Sequence, residues 1–366
     1  MRIRYVDSPP RDLVERTETA LDESGEDLAG KMSARDVEQI VEIFRTPLTG
    51  SFNWSYEDSD RKIRKLYELG KKLNWNASTD IDWDRTFPRD ESPIQAELNP
   101  FAGYAPYEAL SERDQVEFAW HQQCWTLSQF LHGEQGALLV ASQLVSCAPT
   151  YDAKLYAGSQ TFDEARHVEV FSKYIFDKVG FQYPVNKHLK ALLDKILTDP
   201  RWDLKFIGMQ IIVEGLALAA FRTVRMGALD PLLHDVVDLV IRDEARHVAF
   251  GVSYLEQFVR TLSDAEREER AQFAFEACVV MRERLVATDV FAHWGWDVEE
   301  ARQVVLEAEI MQRFRNLLFT RVIPNLKRIG LITDAVRPRY EELGILQYEN
   351  LVDDGVVDWA ALGETG

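Results

Sequence analysis

Glu134, Glu164 and His167 recur as Glu214, Glu244 and His247, displaced by 80 residues with their internal spacing unchanged. In each copy a lone glutamate lies 30 residues ahead of the glutamate of an Asp-Glu-Ala-Arg-His string (163–167 and 243–247), and a tyrosine, Tyr174 or Tyr254, follows the histidine by seven. Glu-x-x-His on a helix places a carboxylate and an imidazole one turn apart on a single face, so both can turn toward one point. Two such helices, with two more carrying the lone glutamates, point to a bundle of four helices around a common centre.

The punctuation of the chain agrees. Four long helical segments are expected at about 111–146, 151–179, 201–226 and 231–260. Pro149 stands midway between Glu134 and Glu164, and Leu229 midway between Glu214 and Glu244. In an antiparallel hairpin, residues equidistant from the turn lie at the same height, here about 22 Å from it at ~1.5 Å per residue. Each lone glutamate therefore faces its partner. Asp230 before Pro231 reads as a helix N-cap with proline in the first turn. Helix starts are also expected at Ser33 with Asp36, Ser111 with Asp114, Ser263 with Glu266 and Asp297 with Glu300. Strand-like alternation is nearly absent, so the class is all-α. Residues 1–32 are polar and read as an N-terminal arm, and 33–366 as one helical domain whose four-helix core spans about 111–260. Residues 74–106 read as an extended connection laid over helices and anchored by Trp75 and Trp83. Helices at 264–290 and 298–329 are expected to cover the core or form a dimer contact.

Four carboxylates and two imidazoles suit a pair of iron or manganese ions better than zinc, which more often takes sulfur or further histidines. Around Glu214 runs Ile-Ile-Val-Glu-Gly-Leu-Ala-Leu, where an unpaired ionised carboxylate is strongly disfavoured unless a cation meets it. A single Glu-x-x-His is ordinarily a solvated pair, but two copies with matched partners are not. Asp163 and Asp243 are suited to accept a hydrogen bond from the far imidazole nitrogen, with Arg166 and Arg246 holding them in place. Tyr174 and Tyr254 read as core residues with satisfied hydroxyls, and His121, His132, His188, His234 and His293 as structural or surface residues. Gly133, Gly136 and Gly215 beside the lone glutamates suit either open space at the site or close helix packing. Helical phase nominates Leu138, Phe171, Leu218, Phe221 and Phe250 as pocket walls.

The net charge of −19 argues against nucleic acid or an anionic membrane surface as a partner. No signal-like segment and no run approaching a membrane span is read, so a cytoplasmic protein is expected. Cys124, Cys147 and Cys278 lack a Cys-x-x-Cys pattern and read as small buried apolar residues.

At the six ligand-type residues, over about 111–260, the chain resembles the ferritin-like dimetal-carboxylate superfamily. Gly133-Glu134 and the two Asp-Glu-Ala-Arg-His strings look like the hydroxylase subunits of bacterial multicomponent monooxygenases and like the diiron arylamine N-oxygenases. The resemblance implies a ferritin-like four-helix bundle with additional N- and C-terminal helices. It also implies two iron ions (Fe2+/Fe3+, or a Mn/Fe pair), O2 as co-substrate, a small organic substrate, and electrons from a separate reductase or ferredoxin. The departures are specific. Leu218 stands where the hydroxylases carry threonine, and Val240 where the N-oxygenases carry a further histidine ligand. Phe171 stands where ribonucleotide reductase small subunits carry a radical tyrosine. Two other readings compete with an oxygenase: a manganese/iron oxidase binding a fatty acid, and non-enzymatic iron storage.

Overall fold

The computed structural model describes residues 4–5, 44–46, 48–56 and 60–356. The Ser33 helix start and most of the 1–32 arm lie outside the described residues. Strand β1 (Arg4–Tyr5) pairs in parallel with β2 (Phe181–Gln182). Almost all other regular structure among the described residues is helical.

Helix α1 (Arg61–Lys72) starts at Asp60, whose side chain accepts from the backbone N–H of Lys62 and Ile63. The core comprises α2 (Glu112–Cys147), α3 (Tyr151–Tyr174), α5 (Trp202–Gly227) and α6 (Pro231–Val259), with α4 (Lys187–Thr198) between the two hairpins. Their starts follow local chemistry. Ser111, Thr150 and Asp230 each accept a backbone N–H in the first turn, and Pro231 sits where no N–H is needed. The hairpin turns fall at 148–150 and 228–230, as the midpoints require.

Two helices depart from the expected regularity. Beyond Tyr174, α3 continues as a π-helical turn, Ile175–Val179, ended by left-handed Gly180. Helix α5 is α-helical over Trp202–Phe206, widens to a π-segment over Ile207–Val213, and is α-helical again from Glu214 to Gly227. The widened turn carries Gln210 against α6 at Gly251, where a Cβ would stand 2.4 Å from the Gln210 Cβ. By composition α5 is long and apolar enough to cross a membrane, which corrects the sequence reading that no run approaches a span. It lies almost wholly inside the protein.

Helices α7 (Asp264–Glu283), α8 (Thr288–His293), α9 (Val298–Glu307), α10 (Glu309–Arg328) and α11 (Arg337–Glu342) follow. The expected 264–290 and 298–329 helices are therefore each divided, the first after Glu283 and the second at extended Ala308. Ser263 makes a full capping box with Glu266, and Asp297 caps α9 through the N–H of Glu300. Helix α7 packs on α4 and on the π-segment, α10 packs on α5, and α1 lies across α3 and α6. Residues 74–106 are irregular apart from short turns. Gln95 donates its N–H to the Gly227 carbonyl, and Leu229 donates to Pro93, so the segment is fastened to the α5–α6 turn.

Candidate dinuclear metal site

Helix α2 delivers Glu134, α3 Glu164 and His167, α5 Glu214, and α6 Glu244 and His247. All six are buried, Glu134 the least so at 5 % exposed. They form two overlapping groups: Glu134, Glu164, His167 and Glu244, then Glu164, Glu214, Glu244 and His247. Within each group one donor atom per residue lies within 4.8 Å of all the others. Glu164 and Glu244 belong to both. His167 Nδ1 is 3.2 Å from Glu134, 3.3 Å from Glu164 and 3.0 Å from Glu244, while His247 Nδ1 is 3.1 Å from Glu164 and 3.5 Å from Glu244.

Several of these donors lack any hydrogen-bond partner: Glu164 Oε2, Glu214 Oε2, both Glu244 oxygens and His247 Nδ1. Burial, with Glu244 close by, pushes the carboxyl groups of Glu134 and Glu214 well above their ordinary range. Burial alone would lower both imidazoles. The hydrogen bond to Asp243 and the glutamates instead raise His167, and the charges of Glu164 and Glu244 raise His247. Glu164 is held low despite its burial, because both imidazoles face it. The cluster thus takes up protons where cations are absent, and its donor set fits a pair of dications that displace them.

Behind the cluster the two copies exchange partners. His167 Nε2 lies 3.3 Å from Asp243, and His247 Nε2 lies 3.2 Å from Asp163, so each imidazole is oriented by the aspartate of the other hairpin. Arg166 bridges Asp163 and Asp243, as does Arg246. Two opposed pairs in this geometry satisfy each other's charge without solvent. Trp75 completes the network by donating Nε1–H to Asp243 at 2.8 Å, and its ring lies under the Arg166 guanidinium. Trp83 donates to the Ala77 carbonyl. Both tryptophans anchor the irregular segment as its sequence suggests.

Sequence reasoning missed a pair of glutamines. Gln160 Nε2 donates to Glu164 Oε1 at 3.1 Å and to Glu214 Oε1 at 2.8 Å, and Gln210 approaches Gln160 at 3.5 Å. Gln160 lies four residues before Glu164, a spacing that signals contact on a helix. Gln210 is presented by a π-segment with no sequence signature.

A narrow cavity opens on the cluster, lined by Gln129, Phe130, Gly133, Glu134, Ala137, Val213, Glu214, Ala217, Phe221, Glu244 and Arg284. Of the five expected walls only Phe221 lines it. Leu138, Phe171, Leu218 and Phe250 do not, because the cavity follows the stripe Glu214, Ala217, Phe221 rather than the neighbouring i+4 face. Phe171 stacks behind Phe221, and Phe250 packs on Tyr156 and Phe206. Gly133 faces open space, whereas a Cβ on Gly136 would strike Leu193, and one on Gly215 would stand 3.3 Å from Val322.

Tyr174 donates to Asp230 at 2.6 Å, and the Tyr254 hydroxyl is 3.1 Å from Thr150, so both hydroxyls are satisfied away from the cluster. His121, His132 and His234 are likewise spent on Tyr183 and on backbone carbonyls. The three cysteines are buried and free.

A helical bundle closing two carboxylate and imidazole groups at its centre defines the ferritin-like dimetal-carboxylate class. Within it, the chain belongs to the family described as p-aminobenzoate N-oxygenase AurF, whose sequence model matches residues 56–330. Uncharacterized proteins of Mycobacterium tuberculosis and Mycobacterium bovis are 24% identical over 217 residues, covering 56% of this chain and 63% of each relative. The matched region thus spans less than two thirds of those relatives. An R2-like ligand-binding oxidase mutant with anaerobically reconstituted Mn/Fe cofactor shares the fold, with a TM-score of 0.50 at 18% identity over 76% of this chain and 96% of that one. Another R2-like ligand-binding oxidase structure aligns with a TM-score of 0.49 at 19% identity, over 75% and 95%. Val240 is fully buried one turn before Glu244 and offers no imidazole.

Proposed function

We propose that the chain is an oxidoreductase whose ligands Glu134, Glu164, His167, Glu214, Glu244 and His247 hold two metal ions, iron or a manganese/iron pair, and that it oxidises a small organic substrate with O2. The observation that carries this reading is the set of buried, unpartnered carboxylate oxygens converging with two imidazoles beside a cavity. The metal pair, when bound, supplies the redox chemistry that activates O2. Glu164 and Glu244, common to both residue groups, would be shared by the two ions, and Glu134 and Glu214 would each serve one. Asp243 and Asp163 each accept from an Nε2–H, which leaves the Nδ1 lone pairs directed at the cluster. Phe130, Val213 and Phe221 supply an apolar part of the cavity wall beside the cluster. Oxygenation of carbon or of nitrogen consumes two electrons and two protons for the oxygen atom that becomes water, and an external reductase or ferredoxin is the proposed donor.

Elemental analysis of protein expressed with ample iron and manganese tests the reading, followed by O2 uptake by the chemically reduced protein. Two metal ions per chain with O2 uptake that depends on them supports it. Wild-type protein without bound metal, unchanged by Glu214→Ala, sinks it.

A further inference from the structure

Helix α10 carries four arginines, and three of them meet carboxylates: Arg313 pairs with Glu309, Arg321 with Asp354, and Arg328 with Glu256 and Asp353. Arg315, half-buried on the same helix, makes no ion pair among the described residues, and its Nε is shut away from solvent without a hydrogen-bond partner. It lines a cleft of about 260 Å³, where the ends of α7 and α9 and the chain beyond α11 meet α10. The cavity at the metal cluster is far smaller, about 20 Å³.

Arg282, from the last turn of α7, is the second guanidinium at the cleft. It donates to the Leu343 carbonyl at 3.4 Å and has no carboxylate partner among the described residues. Like charges therefore crowd here. Burial, with Arg282 and Arg302 nearby, pushes the Arg315 guanidinium down, and Glu283 pulls it back. Glu283 is itself held by Arg302 at 3.1 Å, so its charge is already shared. A cleft with this excess of positive charge, in a chain of net charge −19, concentrates anions locally.

The rest of the lining narrows the kind of anion. Asn316 makes no side-chain hydrogen bond among the described residues, while Gln312 donates from Nε2 to the Glu307 carbonyl at 3.2 Å. Leu306, Phe319, Leu343 and Ile345 make the remaining wall apolar. A bare inorganic anion would engage the guanidiniums and leave that wall to water, whereas an anion with an organic part uses both.

We propose that this cleft binds a small organic phosphate monoester, its head held by Arg282, Arg315 and Asn316 and its organic part lying against Leu306 and Phe319. Guanidinium forks match a phosphate, which offers three acceptor oxygens and close to two negative charges near neutral pH. The net charge of the chain opposes an anionic membrane surface, which favours a soluble ester over a lipid headgroup. The site goes beyond the oxidase reading and does not depend on it. Arg282 and Arg284 flank Glu283, so the end of α7 reaches both this cleft and the metal cavity, but no residue lines both.

The test is calorimetric titration of mono-n-butyl phosphate, n-butyl sulfate and n-butanol into full-length protein at about pH 7.5, where the phosphate is mostly dianionic. Metal-loaded and chelator-treated samples are both titrated. Wild type is expected to bind the phosphate more tightly than the monoanionic sulfate, equally in both samples, and not to bind the alcohol. Arg315→Met should weaken phosphate binding at least about tenfold, Arg315→Lys should lose less, and Arg313→Met should change nothing. Failure of wild type to bind the phosphate, equal or tighter binding of the sulfate, or undiminished affinity in Arg315→Met overturns the assignment. The wild-type comparison requires no variant to fold. Binding lost on chelator treatment would place the phosphate at the metal ions and overturn it as well. Retention on phosphatidic acid vesicles without binding of butyl phosphate would give the site to a lipid headgroup and overturn the soluble ester.

Discussion

Hairpin α2–α3 and hairpin α5–α6 carry the same ligands at the same spacing, but they diverge one turn ahead of each glutamate. Phe130 and Gln160 occupy those positions in the first, Gln210 and Val240 in the second. Gln160 and Gln210 come together and donate hydrogen bonds on the face where α3 meets α5, fixing Glu214 and Glu164. Phe130 lines the cavity and Val240 is buried, so among the described residues the Glu134 carboxylate is hydrogen-bonded by His167 alone. Duplicated ligands thus specify a cluster with near two-fold character, while their neighbours decide which side is tied down by hydrogen bonds and which faces the cavity.

The largest effect is expected from Glu164→Ala, which removes a carboxylate common to both groups and should reduce metal content to near zero. Glu134→Ala, affecting one group, should leave about half. Equal loss in both variants would break the distinction between shared and terminal ligands. Next, Asp243→Ala should cost roughly 3–5 kcal/mol in urea unfolding of the metal-free protein, because it leaves buried Arg166 and Arg246 to share the single carboxylate of Asp163. Asp163→Ala should cost less, since only Asp243 also holds Trp75. Gln160→Leu should weaken metal retention against a chelator about 10- to 100-fold, the range for groups that orient ligands. The ion nearer Glu214 should be lost first. Loss of the Glu134-side ion first would reverse the assignment of the anchored side.

Protonation gives a smaller, graded effect. His167 and His247 have raised values, so the metal-free protein gains stability that is fully present below the unfolded histidine value, about 6.5, and is lost as pH rises through the raised values. Metal must displace those protons, so apparent metal affinity should rise with pH, by up to about tenfold per unit for each proton released. Titration with a metal indicator between pH 6 and 8 checks the sign, and a flat profile would mean the imidazoles are already neutral.

The bundle and its six converging residues were legible from residue order alone, because ligand identity, spacing and turn positions are local properties that helical geometry converts directly into coincident heights and faces. Ser111, Asp230 and Ser263 mark helix starts for the same reason: a cap is satisfied within one turn of its own residue. Relations between elements were not legible there and follow from packing. No local spacing states that Asp243 serves His167 and Asp163 serves His247, since that exchange depends on how two hairpins pack. The π-segment at Ile207–Val213 looks like any apolar helical run, and its extra width is tied to the contact of Gln210 with Gly251. The cavity walls followed the i+3 and i+7 face of α5, a choice set by the neighbouring helices rather than by phase alone. Arg284 lies 37 residues beyond His247 and bears no motif. It lines the cavity with Glu134, Glu214 and Glu244 because α7 packs on the π-segment.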